Sequence, residues 1–182
     1  MKRTVLILLF MMSAVSLALD LSIYPTRFEF DITKMNTEEL FIINNTTAPL
    51  RIEVFAESDK NFGEEFNLNE NIKIFPKMVS VKPAGKQVVR FRVVPKKEDG
   101  EFKSYITFKE IPRKKSESEQ TSENISSNIG ILAELSIPVY GQGKNIDTSG
   151  EITKLNHFRR GNSLQLDAAV TSTGNSSIKL SY

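Results

Sequence analysis

From Leu21 to Tyr140 the apolar residues recur with period two, the spacing of half-buried strands, and no stripe of period 3.6 interrupts them. The runs are Phe28, Phe30 and Ile32 alternating with Glu29 and Asp31; Leu40 to Ile43; Leu50, Ile52 and Val54 against Arg51 and Glu53; Ile72 and Ile74; Val89, Phe91 and Val93 against Arg90 and Arg92; Tyr105 to Phe108; and Ile129 to Val139. The separators carry turn chemistry: Asn44-Asn45-Thr46-Thr47 before Ala48-Pro49, Lys82-Pro83-Ala84-Gly85, and Lys97-Glu98-Asp99-Gly100. Short strands at this spacing favour antiparallel pairing, and seven of them predict an all-β, immunoglobulin-like seven-stranded sandwich.

Two stretches break the pattern. Arg113 to Asn128 is polar apart from Ile125, rich in Ser, Glu, Lys and Asn, and reads as a mobile loop of a length that is unusual inside a compact domain unless it has a use. After Gly141 the glycines at 143, 150, 161 and 174 punctuate two further alternating runs, Glu151 to Phe158 and Ser163 to Val170. The expected organisation is a first domain over 19–141 and a partial second β domain over 142–182, of about three strands, too few to bury its own face. Ile178-Lys179-Leu180-Ser181-Tyr182 reads like the middle of a strand, so either this unit is cut short or it pairs with something else.

The first residues change the compartment. Lys2 and Arg3 form a positive start, Val5 to Val15 an apolar run, and Ser16-Leu17-Ala18 a small-x-small cleavage site, so residues 1–18 are expected to be a cleaved export signal, with the mature chain starting at Leu19 or Asp20. An uncleaved anchor is the alternative, but the run is shorter than the ~20 residues of a membrane span. The expected location is outside the cytoplasm. The chain has no cysteine, so an exported fold here rests on core burial and ladders without disulfides. Roughly 160 residues remain after cleavage, enough for one good core plus a remnant.

Charge and chemistry narrow the function by what they lack. The 24 Lys and Arg are interleaved with 22 Asp and Glu for a net charge of +2, the pattern of a solvated surface and not of a nucleic-acid footprint. The single histidine, His157, stands beside Phe158, Arg159 and Arg160, with no cysteine to join it in a zinc site and no Gly-x-Ser-x-Gly elbow to serve. Phosphate-cradling glycine loops are missing as well. The expectation is no catalytic residue, no metal, no cofactor and no small-molecule substrate. Sequons at Asn44, Asn45, Asn124 and Asn175 are read as turn composition. A sandwich without convergent polar chemistry acts through its surfaces and edges, so binding is the default.

Five features in order resemble the PapD-like periplasmic pilus chaperones. Ile23-Tyr24-Pro25-Thr26-Arg27-Phe28-Glu29-Phe30 resembles the family's first strand. Ile42-Ile43-Asn44-Asn45 with Ala48-Pro49-Leu50-Arg51-Ile52-Glu53-Val54 resembles its strand, turn and proline. Phe75-Pro76 with Val81-Lys82-Pro83-Ala84-Gly85-Lys86-Gln87-Val88-Val89-Arg90-Phe91 resembles its proline turn running into a Val-Arg strand. Phe108-Lys109-Glu110-Ile111-Pro112 resembles the end of its sixth strand, and Thr173-Gly174-Asn175 a turn of its second domain.

The resemblance implies a chaperone that binds pilus or surface-fibre subunits by donor-strand complementation and delivers them to an outer-membrane usher. The seventh strand would fill the groove of a subunit that lacks its last strand. The apolar phase singles out Ile129, Ile131, Ala133, Leu135 and Ile137 as the donated face, since the opposite phase holds Gly130, Leu132, Glu134 and Ser136. The other reading of these residues is that they pack into the domain's own core. Arg27 matches the arginine that in the family lies between the domains and binds the subunit's C-terminal carboxylate, a task suited to a guanidinium fork. Where the family places a second anchoring lysine this chain has Ile137, with Lys144 several residues on. The competing reading is a structural or adhesive immunoglobulin-like extracytoplasmic domain without chaperone activity.

Overall fold

The computed structural model describes residues 21–112 and 132–178, and the expected export signal, the polar loop and Ile129 and Ile131 lie outside them. Eleven strands run in chain order: β1 Leu21–Tyr24, β2 Phe28–Asp31, β3 Asn36–Asn44, β4 Leu50–Ser58, β5 Ile72–Phe75, β6 Met78–Val81, β7 Lys86–Val93, β8 Glu101–Glu110, β9 Glu134–Gln142, β10 Gly150–Arg160 and β11 Ser163–Ser172. A 3-10 turn, Glu64–Phe66, lies between β4 and β5.

The first nine strands form two facing sheets, a four-stranded sheet in the order β1-β3-β7-β5 and a five-stranded sheet in the order β2-β9-β8-β4-β6. The all-β immunoglobulin-like sandwich expected from the alternation is what the chain forms. The period-two pattern explains it: one phase of each strand, such as Leu40 and Ile42 on β3, Val89, Phe91 and Val93 on β7, and Ile52 and Val54 on β4, is buried between the sheets. Phe91 centres this core, with Phe28 edge-on at 4.9 Å between ring centroids.

The sheets hold more strands than there are apolar runs, for two local reasons. The opening strand is split: β1 pairs with β3 in one sheet, while β2 pairs in parallel with β9 in the other. The chain crosses between them over Pro25-Thr26-Arg27, with the Tyr24–Pro25 peptide cis. The short β6, against β4 at Leu50 to Glu53, lies between Pro76 and Pro83, and its buried Val79 and Val81 alternate with exposed Met78 and Ser80 as a run beyond the seven.

Polar groups finish the edges of this core. The wholly buried Asn44 donates through Nδ2 to the carbonyls of Ala48, Val81 and Lys82 at 2.7, 3.1 and 3.0 Å, and its Oδ1 accepts the amide of Thr46 at 2.9 Å. At Gly141 a Cβ would stand 2.5 Å from Ile32 Cγ2 and 2.9 Å from Leu68 Cδ1, so only glycine lets β9 run this close to the core beside β2.

Beyond the sandwich, among the described residues, β10 and β11 pair only with each other, through a register that shifts between Ile152 and Lys154. Their residues are largely exposed, including Ile152, Leu155, Leu164 and Leu166. The segment after β11 returns to the sandwich: the Ser177 amide donates to buried Glu101 Oε2 at 2.7 Å, and the Glu101 amide donates to the Asn175 carbonyl at 2.8 Å.

Candidate subunit-binding edge

Strand β9 is paired unevenly. On one side β8 accompanies it from Glu134 to Gln142; on the other, β2 accompanies only Val139 to Gln142. Among the described residues the outer edge of Glu134 to Pro138 carries no strand, so its backbone groups are open to a partner. The split of the opening strand makes this gap, because the residues that would continue β2 backwards turn away at Pro25 to reach the other sheet.

A second open edge faces it. β1 ends the four-stranded sheet, and between β1 and the first half of β9 lies a cleft of about 280 Å³ lined by Leu21, Ile23, Thr26, Leu135, Ile137 and their neighbours. Among the described residues the sandwich is therefore unzipped at this corner, with one strand edge from each sheet unflanked beside an apolar opening.

The side chains of β9 grade from inside to outside along a single phase. Val139 and Ile137 are buried in this domain's own core, while Leu135 and Ala133 are partly buried against it. Leu132, on the opposite phase, is 47% exposed. The predicted donor residues thus split: Ile137 is a core residue, Leu135 and Ala133 lie at the margin of the cleft, and Ile131 and Ile129 fall outside the described residues.

Arg27 stands in the crossing between β1 and β2, on the outer face and away from the cleft's apolar lining. Its Nε donates to Glu29 Oε1 at 2.8 Å, and its guanidinium carbon lies 4.2 Å from the centroid of the Tyr140 ring. The β2–β9 register places Glu29 opposite Tyr140, so the three groups form one cluster.

The same tyrosine has a second cation, which sequence reasoning missed. Lys103 on β8 is directly opposite Tyr140, and its Nζ lies 5.2 Å from that ring. Lys103 is largely buried and bonds Asp59 Oδ2 at 2.7 Å, while the Tyr105 hydroxyl donates to the same oxygen at 3.1 Å. Desolvation works against the ammonium charge, but the hydrogen bonds to Asp59 and Tyr105 outweigh it and hold Lys103 above the usual lysine range. The lysine hydrogen bond, against the cost of burial, likewise holds Asp59 below the usual aspartate range. Only cross-strand register brings Lys103 to Tyr140, and no spacing within the sequence signals it.

Comparison with known proteins places this corner in context. A family model described as pili and flagellar-assembly chaperone, PapD N-terminal domain, matches residues 20–139. No curated protein matches the chain by sequence. Among solved structures, the E. coli chaperone DraB superposes with a TM-score of 0.52 at 18% identity, over 79% of this chain and 65% of that one. A chain of the Salmonella enterica SafA pilin in complex with the SafB chaperone gives a TM-score of 0.51 at 10% identity, over 84% of this chain and 69% of its own. A chain of the CsuC–CsuE chaperone-tip adhesion subunit pre-assembly complex of Acinetobacter baumannii gives 0.52 at 13% identity, over 89% and 90%. These likenesses are of fold, and the chain spans 65% of the length of DraB.

Proposed function

The chain belongs to the PapD N-terminal domain family of pili and flagellar-assembly chaperones, and from that premise we propose that it is a periplasmic chaperone that binds pilus or surface-fibre subunits by donor-strand complementation and passes them to an outer-membrane usher. The observation that carries this reading is the open outer edge of Glu134 to Pro138 on β9. A subunit strand added there gains ladder hydrogen bonds from the backbone, which set register, and side-chain contacts from alternate residues, which set specificity.

The phase of the donated face follows from the gradient along β9. Ile137 anchors the strand in the chaperone's own core, Leu135 and Ala133 straddle the margin, and the same period-two phase carried back along the sequence reaches Ile131 and Ile129. Ile129, Ile131, Ala133 and Leu135 are the residues given to the subunit's groove. Burying about four such side chains contributes roughly 6–10 kcal/mol before the costs of association. The free edge of β1 across the cleft offers a second strand of the subunit a place on the other sheet.

Arg27 binds the subunit's terminal carboxylate by exchanging its partner. Its guanidinium is already paired with Glu29 and stacked on Tyr140, at 48% side-chain exposure, so a carboxylate arriving from solvent meets a pre-oriented fork. The periplasm is the compartment in which the expected export signal would leave such a protein. The β unit after Gly141 would flank this arginine.

The test is capture in the periplasm. Expressed with the fibre subunits produced alongside it, the wild-type chain should elute with a stoichiometric β-rich partner identified by intact mass. Ile131→Asp and Leu135→Asp should fold yet elute alone. If both variants retain the partner at wild-type yield, the donor-strand assignment fails.

A further inference from the structure

The sandwich is open at its opposite side as well. β5 ends the sheet of order β1-β3-β7-β5, with no strand on its outer edge among the described residues. The Val94 amide donates to the Asn71 carbonyl and the Ile72 amide to the Leu68 carbonyl, both at 2.9 Å, so residue 71 faces β7 and residue 72 faces away. Alternation along an antiparallel ladder then turns the N–H and C=O of Ile74 outward too. Beside this edge a gap of about 320 Å³ is lined by the apolar Phe55, Ala56, Ile72 and Ile74 and by the polar Asn69, Lys73 and Lys77. β6 flanks β4 at Leu50 to Glu53, and the Val54 amide donates to the Lys77 carbonyl at 2.8 Å; Phe55 and Ala56 lie beyond that bond, at the gap.

The outer face of the same strand adds charge. Lys73 stands directly opposite Arg92, both exposed, and like charges in that position oppose each other. Neither makes an ion pair among the described residues, whereas the adjacent Arg90 is paired with Glu39 at 2.7 Å. Phe75, opposite Arg90, is 77% exposed, the most exposed large apolar side chain among the described residues. A sheet edge without a neighbouring strand, a gap of mixed apolar and polar lining on the inner side and an unbalanced cationic pair beside an aromatic ring on the outer side describe the complement of one object.

We propose that the edge of β5 accepts an extended acidic segment of a second protein as a further strand. Its inward side chains are apolar and enter the gap beside Phe55, Ile72 and Ile74. Its outward side chains are carboxylates, which meet Lys73 and screen it from Arg92, with an apolar residue laid on Phe75. This edge lies across the sheet from β1 and so leaves the subunit-binding corner free.

The experiment is an NMR titration of the exported chain with a synthetic peptide alternating glutamate and valine. Amide shifts are expected at Ile72 to Phe75 and not at Glu134 to Pro138. The double variant Lys73→Glu with Arg92→Glu, matched to wild type in Tm, should bind at least tenfold more weakly. An N-methylated peptide of equal charge should lose binding, as should one with lysine for glutamate. The proposal is overturned if the shifts map elsewhere, if the double variant or the N-methylated peptide binds with unchanged affinity, or if phosphatidylglycerol vesicles perturb the β5 amides where the peptide does not.

Discussion

The guanidinium carbon of Arg27 stands 4.2 Å from the centroid of the Tyr140 ring, joining the crossing between the sheets to the second half of β9. A surface ion pair is worth about 0–1 kcal/mol and an exposed cation–aromatic contact about 0.5–1 kcal/mol. Arg27→Ala should therefore lower stability by about 1 kcal/mol in urea titration while removing most of the co-purified subunit. A large loss of stability with normal capture would make Arg27 a structural residue alone.

The Asp59–Lys103 pair is of another kind, because both side chains are mostly out of water. Asp59→Asn keeps a hydrogen-bond acceptor but strips the ammonium of its counter-charge. Since each partner keeps some solvent contact, a cost of about 1–3 kcal/mol is expected, below the full penalty for a broken buried pair. The sign with pH follows from the shifts. A depressed aspartate makes a contribution that is present above the unfolded value of 3.8 and lost as pH falls through the lower folded value. A raised lysine makes one that is present below 10.5 and lost only as pH rises through its higher folded value. Urea midpoints of wild type should fall as pH drops below about 4, and the Asp59→Asn variant should show a shallower fall.

Strands with several alternating residues were readable from the sequence because period two is a local property: β3, β4, β7, β8, β10 and β11 all follow their runs. The break after Tyr24 was not, since Ile23 to Phe30 reads as one strand and only tertiary pairing sends its halves to different sheets. The candidate corner divides the same way. Arg27 and the phase of Leu135 were visible from motif and alternation. Where along that phase a side chain stops serving its own core depends on where β2 ends, and that is a fact of pairing.

An alanine series along β9 reads this gradient directly. Ile137→Ala, at a site 7% exposed, should cost about 2–4 kcal/mol. Leu135→Ala, at the margin, should cost about 1 kcal/mol, and Leu132→Ala, well exposed, less than about 0.5 kcal/mol. Equal costs at all three positions would contradict the placement of the cleft.

Asn44 offers a control outside any binding surface. Its amide satisfies carbonyls of Ala48, Val81 and Lys82, and Asn44→Ala would leave them short of partners, at about 1–3 kcal/mol. Thermal melts should show the loss, and subunit capture by the folded fraction should be normal. A side chain buried this completely also explains why the Asn-Asn-Thr sequon at this position is turn chemistry.

The most direct measurement is hydrogen exchange on the purified chaperone–subunit complex, followed residue by residue along β9. Amides facing the open edge between Glu134 and Pro138 should slow by at least tenfold on subunit binding, while those of Val139 to Gln142, already flanked by β2, stay as they were. Unchanged exchange at Glu134 to Pro138 in a stoichiometric complex would contradict strand addition at this edge.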